Sequence, residues 1–106
     1  MTIEVVVGAK QTNKVNYTFT ANKVVWFQDA DGKNTIYAKA ATTWGSGTLT
    51  FYGMPEKTDT NKIALGLTMT ADGFISIPAT LGEIRSRGIL AILTGSTNPD
   101  ITLWVL

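Results

Sequence analysis

The side chains that could carry acid–base chemistry are eight carboxylates, and nearly all of them lie in segments rich in turn formers. A glycosidase needs two carboxyl groups roughly 5–10 Å apart in a cleft, one of them in an apolar pocket. No spacing in this sequence brings a pair into such a site, so we interpret the carboxylates as solvated turn residues. They are Glu4, Asp29, Asp31, Glu56, Asp59, Asp72, Glu83 and Asp100.

Nucleophilic and metal chemistry are disfavoured because the sequence contains neither histidine nor cysteine. Their absence removes the commonest general base, the commonest transition-metal ligand and any disulfide. The four serines therefore have no histidine base; a Ser–Lys dyad stays open, but no motif supports one. We predict no catalytic residue, no metal and no cofactor, and hence a protein that is not an enzyme. The serines are Ser46, Ser76, Ser86 and Ser96.

The segment 29–34, Asp-Ala-Asp-Gly-Lys-Asn, superficially resembles a calcium loop. An EF-hand loop has glycine at position six and a bidentate glutamate at position twelve. Here Gly32 occupies position four and Ala40 occupies position twelve. The Asp-Gly pair is instead typical of a tight turn between strands.

Charge and hydropathy disfavour two classes of partner. Nine basic residues oppose eight acidic ones, for a net charge of +1, and the lysines are scattered. Proteins that bind nucleic acid usually carry a clear basic excess. No apolar run approaches the ~18 residues needed to span a bilayer. The segment 1–8 lacks a basic start and contains Glu4, so we do not predict a signal peptide; nucleic acid and membrane are not expected partners.

Short segments of β-forming residues recur about every ten residues, separated by Gly, Asn, Asp and Pro. This spacing predicts an all-β fold, an antiparallel β-sandwich, jelly-roll-like domain or barrel of about eight strands. We expect a single domain over 1–106, with at most one short helical turn near 79–86. The predicted strands are 3–7, 15–20, 24–28, 35–41, 48–52, 63–70, 74–77, 89–93 and 101–106.

Two hairpins are predicted from the turn signals, one from Trp26 to Ala40 and one over 88–106. The segment 89–93 is apolar on both faces, so it is either a central strand covered on both sides or part of an interface. Alternation predicts that Ile63, Leu65, Leu67 and Met69 share one face of their strand. It also predicts that four aromatic residues point into the core: Phe19, Trp26, Phe51 and Phe74.

Six residues are candidate contact residues. Trp44 lies beside Gly45, and Tyr52 is out of phase with its inward neighbours, so both are candidates for exposed contacts. Arg85 and Arg87 form the only close basic pair and could make a subunit contact. Trp104 and Leu106 lie in the last apolar strand, which we expect to lie under another layer of protein, from this chain or another copy.

With the strands in order, the second half resembles the small all-β virion structural proteins of tailed bacteriophages, of the capsid decoration (cement) or head–tail type. Segment 44–51, WGSGTLTF, is similar to their W-G-x-G-T-[VL]-T segment. Segment 70–79, TADGFISIPA, then Gly82 and Arg85, and LTGS at 93–96 are similar to their later motifs. The sequence departs from the pattern over 54–61, where the family has a repeated-glycine turn followed by tryptophan.

The resemblance implies a non-enzymatic capsid decoration or head-stabilising protein that acts through self-association and lattice binding. Its partners would be copies of itself, as a trimer, and the major capsid protein or another virion protein. It would be found in the virion, and in the host cytoplasm during assembly. The alternative is a carbohydrate- or receptor-binding β-sandwich module of a tail or fibre; an enzyme and a β-domain without a partner are further alternatives.

Overall fold

Nine β-strands account for most of the residues described by the structure, a computed structural model that covers 3–6, 15–28, 34–53, 62–78 and 88–106. Their positions agree closely with the predicted segments. The strands are β1 (Ile3–Val6), β2 (Val15–Phe19), β3 (Val24–Gln28), β4 (Thr35–Ala40), β5 (Thr48–Gly53), β6 (Ile63–Met69), β7 (Gly73–Ser76), β8 (Gly88–Thr94) and β9 (Ile101–Val105).

The strands form two sheets. Sheet I has the order β1-β3-β8-β5-β6, and sheet II has the order β2-β9-β4-β7. All neighbouring strands are antiparallel except β1 and β3, which are parallel. The predicted all-β sandwich is confirmed, while the helical turn expected near 79–86 lies outside the described residues.

Both predicted hairpins are wrong, because their two arms lie in different sheets. β3 and β8 belong to sheet I, whereas β4 and β9 belong to sheet II. Among the nine strands, β5 and β6 are the one consecutive pair that shares a sheet. β3 and β8 carry apolar residues on both faces, and they pair with each other inside sheet I. Turn residues reverse the chain, but they do not determine which sheet the next strand joins.

The main core lies between the sheets and is built from strands with strict alternation. β4 and β9 bury every second residue, and the predicted inward residues Phe19 and Phe51 are fully buried. Each large apolar side chain buried in this way stabilises the fold by about 1.5–3 kcal/mol. The alternating residues are Ile36, Ala38, Ala40, Ile101, Leu103 and Val105.

A second apolar cluster covers the outer face of sheet I. Val24, Trp26 and Leu90 are buried there, with partly buried Tyr52 and Ile92 packed against them. β8 is therefore a central strand covered on both sides, which decides between the two possibilities open for 89–93. Trp26 is buried as predicted, but in this outer cluster and not between the sheets.

The predicted apolar face of β6 is confirmed only in part. Leu65 and Leu67 pack against the main core and Met69 belongs to it. Ile63, however, is 73% exposed. The register between β5 and β6 shifts at Phe51/Tyr52, so the alternation does not continue evenly along the strand.

The predicted orientation of Phe74 is wrong, since its side chain is 70% exposed. In β7, Ile75 packs on the main core, and Ile77 just after the strand is buried. Phe74 therefore shares its phase with Ser76, on the opposite face of sheet II. A strand of four residues is too short for its composition to determine which phase is buried.

Candidate interaction surface

Three aromatic side chains form a line across the outer face of sheet II. Trp104 on β9 pairs with Tyr37 on β4, and Tyr37 pairs with Phe74 on β7. Adjacent strands lie about 4.8 Å apart, so this line spans roughly 10 Å. We call Trp104, Tyr37 and Phe74 the aromatic row.

Exposure increases along the aromatic row towards β7. Trp104 is half-buried, Tyr37 is 37% exposed and Phe74 is 70% exposed. The rings of Tyr37 and Trp104 meet edge to face, with centroids 5.3 Å apart and planes at 72°. This contact holds the inner two rings in place, while Phe74 retains most of its apolar surface for a partner.

Polar side chains border the aromatic row. The hydroxyls of Thr18 and Thr102 are hydrogen bonded at 2.9 Å. The Lys39 ammonium lies 3.4 Å from the Asp72 carboxylate, so these two charges compensate each other. An apolar centre with a polar rim is the usual anatomy of a protein interface.

Four loops meet at one end of the sandwich and are joined by hydrogen bonds. Asn22 pairs with the main chain of Ser96: the Ser96 N–H donates to Oδ1 at 2.9 Å, and Nδ2 donates to the Ser96 carbonyl at 3.0 Å. The Ser96 hydroxyl donates to the Trp44 carbonyl at 2.7 Å, and the Thr97 N–H donates to the Gly45 carbonyl at 3.0 Å. These bonds fix the relative positions of the β2–β3, β4–β5 and β8–β9 loops.

Two carboxylates complete this loop end. Asp72 Oδ1 accepts hydrogen bonds from the Ala40 N–H and the Trp44 indole N–H, both at 2.8 Å. Asp100 Oδ1 accepts from the N–H groups of Thr42 and Thr43, at 2.9 and 3.0 Å. Asp72 thereby ties the β6–β7 loop to the β4–β5 loop.

These hydrogen bonds lower the pKa of both carboxyl groups. The Ala40 N–H and then the Trp44 indole hold the pKa of Asp72 below its ordinary value of 3.8. The N–H groups of Thr42 and Thr43 do the same for the pKa of Asp100. Both groups are therefore ionised at neutral pH and act as hydrogen-bond acceptors that hold the loops.

Acid should weaken the loop end. A carboxyl group whose folded pKa is lowered contributes stability above its unfolded pKa, and this contribution is lost as the pH falls through the folded pKa. We expect the wild type to lose more unfolding free energy than Asp100→Asn between about pH 5 and pH 2. Urea unfolding at a series of pH values measures this, and parallel pH profiles for the two proteins would contradict it.

Two predicted contact residues, Trp44 and Tyr52, are half-buried. Trp44 packs on the main core and donates its indole N–H to Asp72, so it joins loops as well as presenting part of its ring. Tyr52 packs on the outer cluster of sheet I, with the Lys62 ammonium 5.9 Å from its ring centroid.

The other predicted contact residues divide between the last strand and the undescribed part of the chain. Trp104 lies in the aromatic row. Leu106 is 39% exposed, and its main chain exchanges two hydrogen bonds with Thr35. Arg85 and Arg87 lie outside the described residues. An interface role for any of the six residues stays a prediction.

Sequence reasoning missed Tyr37 and Phe74 as candidate contact residues. Tyr37 alternates with the buried residues Ile36 and Ala38, so the period of two places it on the opposite face of β4. Its neighbours across the sheet depend on strand order, which no local pattern reveals. For Phe74 no decisive signal was present, because Phe74 and Ser76 share one phase, Ile75 and Ile77 share the other, and both phases contain a large apolar residue.

The described residues contain no group of three or more carboxylates that could hold a metal ion. Within the same residues, no helix is long and apolar enough to cross a membrane.

Comparison with known proteins gives one informative likeness. No family model matches the chain, and no curated protein sequence matches it. A solved structure of PliG from Aeromonas hydrophila, a periplasmic lysozyme inhibitor of g-type lysozyme, is similar over 98% of this chain and 94% of that chain. The TM-score is 0.50 and the sequence identity is 16%, so the likeness shows a shared fold.

This comparison contradicts the function predicted from the bacteriophage resemblance. The solved structure that is similar over 98% of this chain is that of an inhibitor, and neither a capsid decoration protein nor a tail or fibre module. Turn and strand signatures such as 44–51 explain the error. They report local geometry, here a tight turn whose Gly47 N–H bonds the Trp44 carbonyl, and such turns serve β-sandwiches of many functions.

The predicted location and partners are contradicted in the same way. The matching protein is periplasmic, whereas the prediction placed this chain in the virion and the host cytoplasm. The matching protein inhibits a lysozyme, whereas a homotrimer and the major capsid protein were predicted as partners.

Proposed function

We propose that this chain is a non-enzymatic protein-binding domain that inhibits a lysozyme by covering part of the enzyme's surface. The observation that carries the proposal is the aromatic row with its exposed Phe74, on a fold similar over 98% of this chain to that of a lysozyme inhibitor. Aromatic side chains dominate the binding energy of many protein interfaces.

The surface is well suited to binding because little of it needs to be ordered. The aromatic row lies on paired β-strands, and the neighbouring loop end is joined by hydrogen bonds. Association is opposed by the loss of side-chain and loop freedom, and a preorganised surface reduces that cost. Burial of the exposed part of Phe74 would then contribute at about 25 cal/mol per Å².

The chemistry of the described residues favours blocking over catalysis. Asp72 and Asp100 both have lowered pKa values because they accept hydrogen bonds. Neither holds a proton to donate near neutral pH, and neither is free of main-chain partners. A protein that blocks the substrate site of an enzyme does not itself require a proton donor.

The direct test is inhibition of purified lysozymes. We expect the protein to slow the lysis of bacterial cells by a g-type lysozyme and to form a complex with it, with a Kd of about 10 μM or tighter. A c-type lysozyme serves as the control for class selectivity. Absence of both inhibition and complex formation with either enzyme would exclude the proposed function.

Replacement of Phe74 by alanine should weaken this binding by about 10- to 30-fold, as expected for a central aromatic contact. Ile63→Ala is a matched control, because Ile63 is equally exposed, at 73% against 70%, but lies on sheet I. Isothermal titration measures both affinities, and thermal unfolding should show little change for either variant. Equal affinities of both variants and the wild type would show that Phe74 does not lie in the interface.

A further inference from the structure

β7 lies at the edge of sheet II, and the direction in which each of its main-chain N–H and C=O groups points follows from the hydrogen bonds of β4. Thr35 exchanges two hydrogen bonds with Leu106, so alternate residues of β4 bond towards β9 and the residues between them bond towards β7. The bond from the Ile77 N–H to the Asn34 carbonyl, at 2.8 Å, agrees with this alternation, whereas the N–H of Asn34, just before β4, departs from it and donates to the Leu106 carbonyl. Ile75 therefore bonds towards β4, while the N–H and C=O groups of Phe74 and Ser76 point to the open side of β7.

The open side of β7 adjoins the aromatic row. The Phe74 side chain stands on the outer face beside Tyr37, with which it pairs. Within the described residues no strand pairs with β7 on its other side. An added strand would hydrogen bond to Phe74 and Ser76 and would place one of its own side chains next to Phe74, which lengthens the aromatic row.

The other sheet edges are less suited to pairing with an added strand. By the same alternation, Asn16 and Thr18 on β2 are open, but their side chains are polar and give no apolar anchor. β6 is interrupted by the register shift opposite Phe51/Tyr52, which breaks the regular ladder. β1 and β6 also belong to sheet I, away from the aromatic row.

We propose that the bound lysozyme contributes an extended segment that pairs with β7 as a fifth strand of sheet II. This inference rests on the proposed function and specifies how the partner is held. The segment has an apolar or aromatic side chain beside Phe74 and no proline at the positions that bond to Phe74 and Ser76. It carries no net charge, because the nearby Lys39 and Asp72 already compensate each other. Such strand addition derives affinity from main-chain bonds and selectivity from alternate side chains.

Amide hydrogen exchange, followed by NMR in the complex with g-type lysozyme, tests the inference. The amides of Phe74 and Ser76 should exchange about tenfold or more slowly in the complex than in the free protein. The amides of Asn16 and Thr18, at the opposite edge, are internal controls and should not change. A complex in which Phe74 and Ser76 exchange at their free rates would overturn strand addition while leaving inhibition intact. If no complex forms and the lysozyme is not inhibited, the proposed function itself is wrong. Inhibition measurements therefore distinguish this result from a failure of strand addition alone.

Two variants distinguish binding through main-chain hydrogen bonds from binding in which the partner only covers the surface of sheet II. Ser76→Pro removes an N–H that faces the open edge, where proline is compatible with a strand, whereas Ser76→Ala keeps it. We expect Ser76→Pro to weaken binding about tenfold more than Ser76→Ala does. Equal binding by two folded variants would overturn the inference, and if Ser76→Pro does not fold, the exchange measurement decides.

Discussion

Gly88→Ala should destabilise the protein by about 2–5 kcal/mol, from steric overlap and backbone strain together. A methyl group at Gly88 would overlap the indole Nε1 of Trp26 and lie 2.8 Å from the Phe27 carbonyl oxygen. The indole is buried in the outer cluster, and the carbonyl belongs to the paired strand β3, so neither can move aside cheaply. The φ of +142° at Gly88 adds a conformation that other residues rarely adopt.

Gly73→Ala is the matched control, because Gly73 has a similar φ of +156° but nothing within 4 Å of an added methyl group. The control should show only the backbone cost. Urea unfolding of both variants gives the difference, which is the steric part of the effect. In a Trp26→Phe background, Gly88→Ala should lower the free energy of unfolding by less than it does in the wild type. The reason is that the indole nitrogen, which the methyl group would overlap, is gone. Equal destabilisation by Gly73→Ala and Gly88→Ala would contradict the predicted contact.

Gly45→Ala should destabilise the protein by about 2–4 kcal/mol and separate two loops of the loop end. A methyl group there would overlap the Thr97 carbonyl oxygen, and it would lie 2.6 Å from the Thr97 nitrogen and 2.8 Å from the Ser96 hydroxyl. Two of these atoms belong to the main chain and cannot rotate away. The close approach is what allows the Thr97 N–H to reach the Gly45 carbonyl.

Gly95→Ala provides the comparison for Gly45, with a φ of +71° against +58° and open space around the added methyl group. It should lose about 1 kcal/mol from the left-handed backbone alone. Unfolding free energies separate the variants, and faster exchange of the Thr97 amide in Gly45→Ala should report the parted loops. Unchanged exchange at Thr97 would show that the loops stay joined and that the prediction is wrong.

The alternation of apolar residues was sufficient to locate the strands and most of the core. β4 and β5 show it well, since Ile36, Ala38, Leu49 and Phe51 alternate with less buried residues, and Phe51 points inward as predicted. A buried strand must repeat every two residues, and this requirement is local in sequence. The same reasoning failed for Phe74, because four residues do not contain enough repeats to choose a face.

The hydrogen-bonding roles of the loops depended on contacts far apart in sequence. Asp72 was interpreted as a solvated turn residue, yet it accepts the Trp44 indole N–H and the Ala40 N–H. Trp44 was interpreted as an exposed contact because the Asp72 carboxylate, which accepts its indole N–H, lies 28 positions away in the sequence. A turn signature shows that the chain reverses there, but not which other loop it meets.

By itself the sequence determined that the chain is all-β, where its strands lie and that it lacks histidine and cysteine chemistry. These properties follow from residue types and from a period of two, which are both local. The tertiary structure decided which sheet each strand joins, and so placed Trp104, Tyr37 and Phe74 side by side on β9, β4 and β7. Strand order depends on the burial of whole faces such as those of β3 and β8, and therefore on interactions that no single segment contains.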